Sequence, residues 1–244
     1  MIREAKGQIE DKIPVQNVII SVYDKTGVEE FVAGMAEVCE HLYIYSTGGT
    51  YTVIENVLFS LAKKSKVCPV ELEDIGHYTG MPEMEGGLVK TLHPKIHAGI
   101  LAERNNPEHE KYLKETLGGA EYIDMVVVNL YPFKKIVAED AVPFEKARGF
   151  IDIGGSTMLR AAAKNFLSCA AICRPNDYAA VMQHMRDNNG CTTFEMRRTL
   201  VEKVFEMTSK YDKAILGYFA QRSMDQTVMD EYQFSDCVTN KLGL

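Results

Sequence analysis

The sequence predicts an α/β fold in which an open, mainly parallel β-sheet carries helices on both faces. Short apolar runs alternate with segments of helical periodicity along most of the 244 residues, and this βαβα order is typical of such sheets. The run at residues 125–130 is apolar except for Asn129, as expected of a strand that is buried on both faces. Two Gly-Gly loops each follow an apolar run and precede a helical one. We therefore expect them at the carboxyl edge of the sheet, where ligands bind.

The composition indicates an ordinary globular protein, with 46% hydrophobic and 25% charged residues. The net charge of -7 argues against general nucleic-acid binding, which normally requires a basic patch. The N-terminal residues lack the apolar core of a secretory signal, and no apolar stretch approaches membrane-spanning length. The 6 cysteines are scattered, mostly within apolar runs, as expected of reduced thiols. We expect a cytoplasmic protein with neither a nucleic-acid nor a membrane partner.

The first half of the chain begins with a polar segment, residues 1–17, which we interpret as an N-terminal extension. Strand-like runs then alternate with two helical segments, the first of which places Val28, Phe31 and Val32 on one face. The predicted strands are 18–22, 41–45 and 67–72, and the predicted helices are 28–38 and 51–61. Residues 73–97 have an irregular pattern, and loops of this length in compact domains are usually functional.

The second half of the chain continues the alternation and ends in helices. The predicted helices are 108–117, 144–149, 177–186 and 193–221, and the predicted strands are 125–130 and 169–173. Asp177 and Thr193 are suited to capping the helices that follow them. A further helix, after the second Gly-Gly loop, carries Lys164. We expect one domain with C-terminal helices over residues 18–222, followed by a polar tail over residues 223–244.

The first Gly-Gly loop is Ser46-Thr47-Gly48-Gly49-Thr50, and two interpretations of it are open. Glycine pairs are common in simple turns. The strand before this loop and the helix after it also suit phosphate binding, because backbone N–H groups at a helix N-terminus attract anions and hydroxyl groups add donors. The loop lacks the Gly-Lys-Ser/Thr ending of a P-loop and differs from the dinucleotide-binding fingerprint.

The second Gly-Gly loop places Asp152 before the turn and Lys164 in the helix behind it. These two residues could simply cap and decorate that helix. The three alanines before Lys164 indicate close packing against a neighbour, and a lysine in a packed setting can have a pKa suited to acid–base work. A phosphate-binding loop near a carboxylate–lysine couple indicates an enzyme that acts on a phosphorylated small molecule.

Three further residues have both a bland and a functional interpretation. Lys25 and Lys90 could be solvated surface lysines, but Lys25 directly follows a strand end, where a compact cation can meet a phosphate. Lys90 lies in a glycine-rich segment. Tyr131 follows the most apolar strand, and its bland interpretation is a buried tyrosine with a satisfied hydroxyl group.

The histidines His93 and His97 have the i,i+4 spacing of some metal sites. Pro94 lies between them and disfavours a regular helix at this point. The sequence therefore does not predict a metal site here.

Taken together, eight segments resemble, in the same order, the inosine monophosphate (IMP) cyclohydrolase domain of the bifunctional purine biosynthesis proteins. The resemblance runs from about residue 18 to residue 219. The segments are 21–27, 46–50, 79–84, 89–94, 97–102, 129–133, 151–155 and 160–165. Jointly they are highly specific, although no single segment would be.

The resemblance implies a methylglyoxal-synthase-like α/β fold and the last step of de novo purine synthesis. In that step, 5-formamidoimidazole-4-carboxamide ribotide closes to IMP with loss of water. The resemblance implies no cofactor and no metal. It implies a purine ribonucleotide as substrate and a second copy of the chain in a homodimer, and a separate formyltransferase for aminoimidazole carboxamide ribotide (AICAR) is a further candidate partner.

The resemblance also implies the site residues, carried over motif by motif. The implied catalytic group is Lys90, Tyr131, Asp152 and Lys164. The implied substrate-binding residues, which hold the phosphate or line the pocket, are Lys25, Thr26, Ser46, Thr47, Gly48, Gly49, Thr50, Thr91, Asn129, Ile153 and Gly154. In this scheme Lys164 donates and accepts a proton, and Asp152 orients either Lys164 or the carboxamide. Tyr131 and Lys90 polarise the reacting groups.

The chain departs from the family pattern at several places. Leu88 stands where family members usually have arginine, and Tyr23 stands where they commonly have serine. Both positions line the family's nucleotide pocket. Extra sequence lies around residues 58–67. The chain ends where the family's formyltransferase domain would begin, so we expect no such domain in it.

Two other functions remain open on the sequence. A methylglyoxal-synthase-like lyase would share the phosphate loop but has no need of the segments around Lys90 and Lys164. A non-catalytic nucleotide-sensing domain of the same fold is favoured by the loss of the arginine at Leu88.

Overall fold

The computed structural model describes residues 9–62, 68–82, 84–138 and 142–221, together with Tyr232. The described chain divides into two structural units. The larger unit is drawn from residues 1–130 and 153–206, and the smaller unit from residues 131–152 and 207–244. The tail predicted at residues 223–244 lies outside the described residues, except for Tyr232.

Seven strands lie in the described part of the chain. They are β1 (Lys12–Pro14), β2 (Asn17–Val22), β3 (Leu42–Ser46), β4 (Val70–Asp74), β5 (Met125–Asn129), β6 (Ala170–Ile172) and β7 (Cys191–Thr193). Five of these strands form one sheet in the order β4-β3-β2-β5-β6, and every neighbouring pair is parallel. The central strand β2 pairs Ile20 with Ser46 of β3 and with Val127 of β5. The predicted open, parallel sheet is therefore confirmed.

Helices lie between the strands along the chain, and further helices come after β6, the last strand of the sheet in chain order. They are α1 (Val28–Val38), α2 (Gly48–Leu61), α3 (Ile75–Thr79), α4 (Pro94–Leu101), α5 (Pro107–Lys111), α6 (Phe133–Ile136), α7 (Phe144–Gly149), α8 (Gly154–Lys164), α9 (Tyr178–Asp187) and α10 (Phe194–Ala220). None of the helices within the described ranges has the length and apolar character needed to cross a membrane.

Helices cover both faces of the sheet. Val18 of β2 belongs to a core that contains Phe31 of α1 and Ile54 of α2. Ile19, the next residue of β2, points to the opposite face and is also fully buried. Helix α8 packs against β5 and β6, and α4 packs against α8. The loop that opens α2 directly follows the carboxyl end of β3.

Residues 9–17 of the predicted N-terminal extension are described, and they contain strand β1. Strand β1 pairs antiparallel with β7, and Ile13 is almost completely buried. The fully buried Arg197 fixes this region by donating to five backbone carbonyls at 2.8–3.1 Å. Those carbonyls belong to Glu10, Asp11, Phe166, Leu167 and Thr192.

The smaller unit has its own apolar cluster. Phe133 of α6, Ala147 of α7 and Tyr218 of α10 are buried in it, together with Val142. The rings of Phe133 and Tyr218 meet edge to face, with centroids 5.8 Å apart. Aromatic pairs of this geometry contribute about 0.5–1.5 kcal/mol beyond the area they bury.

Two local predictions are corrected by the structure. The segment at residues 73–97, expected to be irregular, contains α3 and the first turn of α4. Pro94 occupies the first turn of α4 instead of disrupting it, because a proline there lacks only an N–H group that would be unpaired anyway. Asp177 does not cap α9 through its side chain and instead pairs with Lys203.

Other local predictions are confirmed. Thr193 accepts a hydrogen bond from the N–H group of Met196 at 3.3 Å, as a cap of α10 should. The three alanines of α8 before Lys164 are buried, as their predicted close packing requires. The five described cysteines are free thiols, three of them buried, and the sixth, Cys237, lies outside the described residues.

Candidate functional site

The first turn of α2 forms the centre of the candidate site. Strand β3 ends at Ser46, and Thr47 precedes α2 in an extended conformation without a side-chain hydrogen bond that caps the helix. The first N–H groups of a helix have no partner within the helix and carry the positive end of its dipole. This turn therefore offers backbone donors to an anion.

The two glycines of this turn leave room for a ligand. Gly48 has a φ of 50°, a left-handed conformation that disfavours other residues. A Cβ atom at Gly49 would meet nothing within 4 Å. Both glycines are exposed, so an anion can approach the backbone directly.

Two lysine side chains flank this turn. A Cβ atom at Gly48 would lie 4.0 Å from Nζ of Lys90, which places the Lys90 ammonium beside the turn. The Lys25 ammonium donates to the carbonyl of Val22, and the same carbonyl accepts the hydroxyl of Thr50 at 3.0 Å. Burial lowers the pKa of Lys25, and the nearby Asp24 partly opposes this shift. The Lys90 ammonium therefore lies beside the first turn of α2, and the Lys25 ammonium shares the Val22 carbonyl with Thr50 of the same turn.

The hydroxyl groups of Ser46 and Thr50 form hydrogen bonds with the backbone of β2 instead of facing the open turn. Ser46 is fully buried and donates to the carbonyl of Ile20 at 2.7 Å. Thr50 is also buried and bonds to both backbone groups of Val22. These hydroxyls fix the end of β2 against the start of α2. Contact of either residue with a ligand stays a prediction.

Asn129, at the end of β5, shapes the loop that carries Lys25. Its Oδ1 atom accepts hydrogen bonds from the N–H groups of Tyr23 and Asp24, each at 2.8 Å, and its Nδ2 atom donates to the Asp24 carbonyl at 2.9 Å. Asp24 in turn accepts the hydroxyl of Thr26 at 2.6 Å. Asn129 and Thr26 therefore organise this loop, whatever further contact they make with a ligand.

The second Gly-Gly loop is closely packed, whereas the first is open. A Cβ atom at Gly154 would lie 2.3 Å from Oγ1 of Thr91, closer than real Cβ contacts. Thr91 is buried, whereas Ile153 is 55% exposed. Gly154 is required at this position because Thr91 approaches the first turn of α8 so closely.

Lys164 is the last residue of α8 and is exposed. The helix rises 1.5 Å per residue, so Lys164 lies about 15 Å along the axis from Gly154. The next residue, Asn165, is buried and donates to the carbonyls of Ile100 and Ala102 at 2.7 and 3.1 Å. The residues before and after Lys164 are therefore buried, as the expected close packing requires, but the Lys164 side chain itself is exposed.

Tyr131 and Asp152 belong to the smaller unit. The Asp152 N–H group donates to the hydroxyl of Tyr211 at 2.8 Å, and that hydroxyl donates to the carbonyl of Phe150 at 2.8 Å. Burial raises the pKa of Tyr211 to about 12, so the hydroxyl keeps its proton. Tyr131 is 43% exposed rather than buried, and its ring meets Phe150 edge on.

The two histidines considered for a metal site have different surroundings. His93 caps α4 by accepting a hydrogen bond from the N–H group of Lys95 at 3.1 Å. The Nε2 atom of His97 is buried without a hydrogen-bond partner among the described residues, and burial lowers the pKa of the ring. Across the residues that the structure describes, no group of three or more histidine, cysteine, aspartate or glutamate side chains is arranged to hold a metal ion.

The sequence analysis does not identify one residue that acts on these loops. Tyr211, in α10, fixes the backbone of Asp152. The two residues lie 59 positions apart in the chain, so no local spacing could have identified Tyr211.

Comparison with known proteins identifies relatives over most of the chain. Residues 162–242 match the family model of the AICARFT/IMPCHase bienzyme. The bifunctional purine biosynthesis protein PurH of Pelodictyon phaeoclathratiforme is 46% identical over 209 residues, which cover 84% of this chain and 36% of the relative. PurH of Ruminiclostridium cellulolyticum is 45% identical over 204 residues, which cover 84% and 37%. The chain therefore spans little more than a third of the length of these relatives.

A solved structure extends the likeness to three dimensions. The crystal structure of ForH superposes with a TM-score of 0.68 and 30% sequence identity. The match covers 84% of this chain and 99% of the ForH chain.

Proposed function

Because the chain belongs to the AICARFT/IMPCHase family, we propose that it catalyses the cyclohydrolase reaction. In this reaction 5-formamidoimidazole-4-carboxamide ribotide closes to IMP with loss of water. The observation that carries the proposal is the open first turn of α2 with the Lys90 ammonium beside it and the Lys25 ammonium on the Val22 carbonyl that also bonds Thr50. This arrangement suits the phosphate of a ribotide, which needs backbone donors and positive charge.

The phosphate site supplies the binding energy that orients the rest of the substrate. The N–H groups of Gly48 and Gly49 would donate to the phosphate, and the two lysines would neutralise it. An amide nitrogen is a poor nucleophile, so holding it against the formyl carbon in a near-attack geometry contributes much of the rate. A substrate fixed at its phosphate loses less freedom when the ring closes.

The ring closure requires two proton movements. The carboxamide nitrogen attacks the formyl carbon and loses one proton, while the formyl oxygen gains one. The resulting hydroxyl group leaves as water when the formamide nitrogen loses its proton. Positioned acids and bases accelerate such transfers by about 10²- to 10⁴-fold.

The side chains for these steps are those that the family motifs assign. In this proposal Asp152 orients the carboxamide, and Tyr131 and Lys90 polarise the reacting groups. Lys164 exchanges the proton, a role that requires the reacting groups to lie within reach of the C-terminal end of α8. No step needs a cofactor or a metal.

The proposal is tested by following ring closure of the formylated ribotide by ultraviolet absorbance. The purified chain, shown to be folded by circular dichroism, should produce IMP without metal, folate or nucleoside triphosphate. Lys90→Met is the matched variant and should lose most of this rate. A rate no higher than the uncatalysed background with folded protein refutes the proposal. Methylglyoxal release from a triose phosphate, measured in parallel, would instead support the lyase.

The wider setting of the enzyme is part of the same proposal. Its substrate is a purine ribonucleotide, and it is located in the cytoplasm. It acts as a homodimer, and an AICAR formyltransferase supplies the formylated ribotide. Light scattering at several protein concentrations tests the dimer, and a monomer at all of them would contradict it.

A further inference from the structure

The hydroxyl group of Tyr211 holds the connection between α7 and α8 by two hydrogen bonds. The Asp152 N–H group donates to this hydroxyl at 2.8 Å, and the hydroxyl donates to the Phe150 carbonyl at 2.8 Å. Both backbone groups belong to residues that lie outside any helix or strand. One side chain of α10 therefore fixes the two peptide groups that flank Ile151.

The ring of Tyr211 contacts a second segment of the smaller unit. It meets the ring of Phe133 edge to face, with the centroids 6.2 Å apart. Phe133 is fully buried, and its N–H group donates to the Tyr131 carbonyl at 2.8 Å. The Tyr131 ring in turn meets the Phe150 ring edge on, with the centroids 5.9 Å apart. Tyr211 thus contacts the immediate neighbours of Tyr131 as well as the backbone of Asp152.

Tyr131 and Asp152 are the two members of the proposed catalytic group that belong to the smaller unit. We propose that Tyr211 is a positioning residue, which fixes the backbone of Asp152 through its hydroxyl group and supports the Tyr131 segment through its ring. It touches no substrate and acts only through these two residues. The proposal rests on the ring-closing function, because it requires the Asp152 carboxylate to act on the carboxamide of the substrate.

The protonation state of Tyr211 suits this role. Burial raises the pKa of its hydroxyl group to about 12, so the group keeps its proton at neutral pH. A neutral phenol can accept one hydrogen bond and donate another at the same time. A phenolate could still accept from Asp152 but could not donate to the Phe150 carbonyl. The double hydrogen bond therefore persists over the whole neutral range of pH.

Tyr211→Phe removes the hydroxyl group and keeps the ring against Phe133, so it tests the two hydrogen bonds alone. Displacing a catalytic group by about 1 Å can lower a rate by about a hundredfold. We expect kcat for ring closure to fall about tenfold or more, while the affinity for IMP stays within about twofold of the wild type. Tyr218→Phe is the matched control, because it removes a hydroxyl group from the same helix and the same apolar cluster. It should keep the wild-type kcat.

The action of Tyr211 through Asp152 is tested in the Asp152→Asn background. Residues that act as one unit have strongly non-additive effects on the rate. Tyr211→Phe should therefore lower kcat less than about threefold in that background. Unchanged kcat in Tyr211→Phe, an equal fall of kcat in both backgrounds, or a similar fall in Tyr218→Phe would overturn the positioning role.

A second readout keeps the role of Tyr211 separate from the proposed reaction. The amide resonance of Asp152 in ¹⁵N-labelled protein reports its hydrogen bond without any substrate. Its proton should shift upfield and exchange faster with solvent in Tyr211→Phe, and should stay unchanged in Tyr218→Phe. If the resonance follows this pattern and the wild type does not close the ring, the reaction is wrong while Tyr211 still fixes this connection. If the resonance is the same in Tyr211→Phe and the wild type, the positioning role fails whatever the activity.

Discussion

The two Gly-Gly turns of this protein look alike in sequence and differ in structure. At the start of α2, Gly49 borders open space, and the nearest group to Gly48 is the end of a flexible lysine. At the start of α8, Gly154 lies against Oγ1 of Thr91 so closely that a Cβ atom would have to displace it. The first turn leaves room for a ligand, and the second is filled by a neighbouring side chain.

The difference shows that a glycine pair before a helix has two separate physical causes. One cause is the approach of a ligand to backbone N–H groups, which a Cβ atom would obstruct. The other cause is close packing between two parts of the same chain. In the second case the proposed contribution to catalysis comes from the side chains near the helix ends, here Asp152 just before the turn and Lys164 at the last residue.

The largest effects should therefore come from the side chains that flank α8. We expect Asp152→Asn and Lys164→Ala each to lower the ring-closing rate by about a hundredfold or more, with nearly normal affinity for IMP. If the two residues act as one unit, the double variant should be little worse than either single variant. Steady-state rates and calorimetric titration of IMP provide both numbers.

The same variants can contradict this view of α8. If the loss of rate in the double variant equals the product of the two single losses, Asp152 and Lys164 act independently. A fully active Lys164→Ala would mean that the exposed end of α8 takes no part in the reaction.

The packing at the second turn should be visible in stability. Gly154→Ala forces its new Cβ atom against Thr91, and overpacking of this kind destabilises by about 1–3 kcal/mol. Thr91→Ala removes Oγ1, whereas the Thr91 Cβ atom would still lie 3.7 Å away, an ordinary contact distance. The double variant should therefore recover most of the stability lost in Gly154→Ala, as measured by urea denaturation. Additive losses in the cycle would show that the two residues do not meet.

The fold and the site differ in how far the sequence could predict them. The strands and helices around the sheet follow from their apolar periodicity, and α1 was predicted at its observed ends, Val28–Val38. The roles of Ser46, Thr50 and Asn129 could not be predicted, because a hydroxyl or amide near a ligand loop looks the same whether it faces a ligand or another strand. The structure shows that these groups bond to strand β2 and the loop after it.

Long-range contacts set the other limit on prediction. Tyr211 bonds to the backbone of Asp152 from 59 residues away, and no spacing rule covers that separation. Pro94 was misinterpreted for a different reason. A proline that interrupts a helix and one that begins a helix are the same residue in a short pattern, and only the position of the helix start distinguishes them.

A small side chain introduced at the open turn should lower the affinity for IMP without lowering the stability of the protein. In Gly49→Ala the new Cβ atom meets nothing within 4 Å of the protein, and alanine favours a helix over glycine by about 1 kcal/mol. The methyl group should obstruct a phosphate, with about a tenfold loss of IMP affinity, the equivalent of about 1.4 kcal/mol. Calorimetry and a melting curve measure the two effects together. Unchanged affinity would mean that this loop is only a turn.

The smallest expected effect is at Leu88, where the family's arginine is missing. Leu88 is 68% exposed, so an arginine there would interact with an anion mostly through water. Exposed ion pairs contribute about 0.2–1 kcal/mol, and Leu88→Arg should strengthen IMP binding by at most about fivefold. Raising the salt concentration should remove this gain. Unchanged or weaker binding in the variant would show that other cations already serve the anion.

The central claim is that the first turn of α2, and not that of α8, is the anion site. Inorganic phosphate titrated into ¹⁵N-labelled protein tests it directly, because phosphate has neither a base nor a ribose to contact other parts of the site. We expect saturable shifts of the amide resonances of Gly48, Gly49 and Thr50, with little change at Gly154 and Gly155. Shifts at Gly154 and Gly155 without shifts at Gly48 and Gly49 would contradict it.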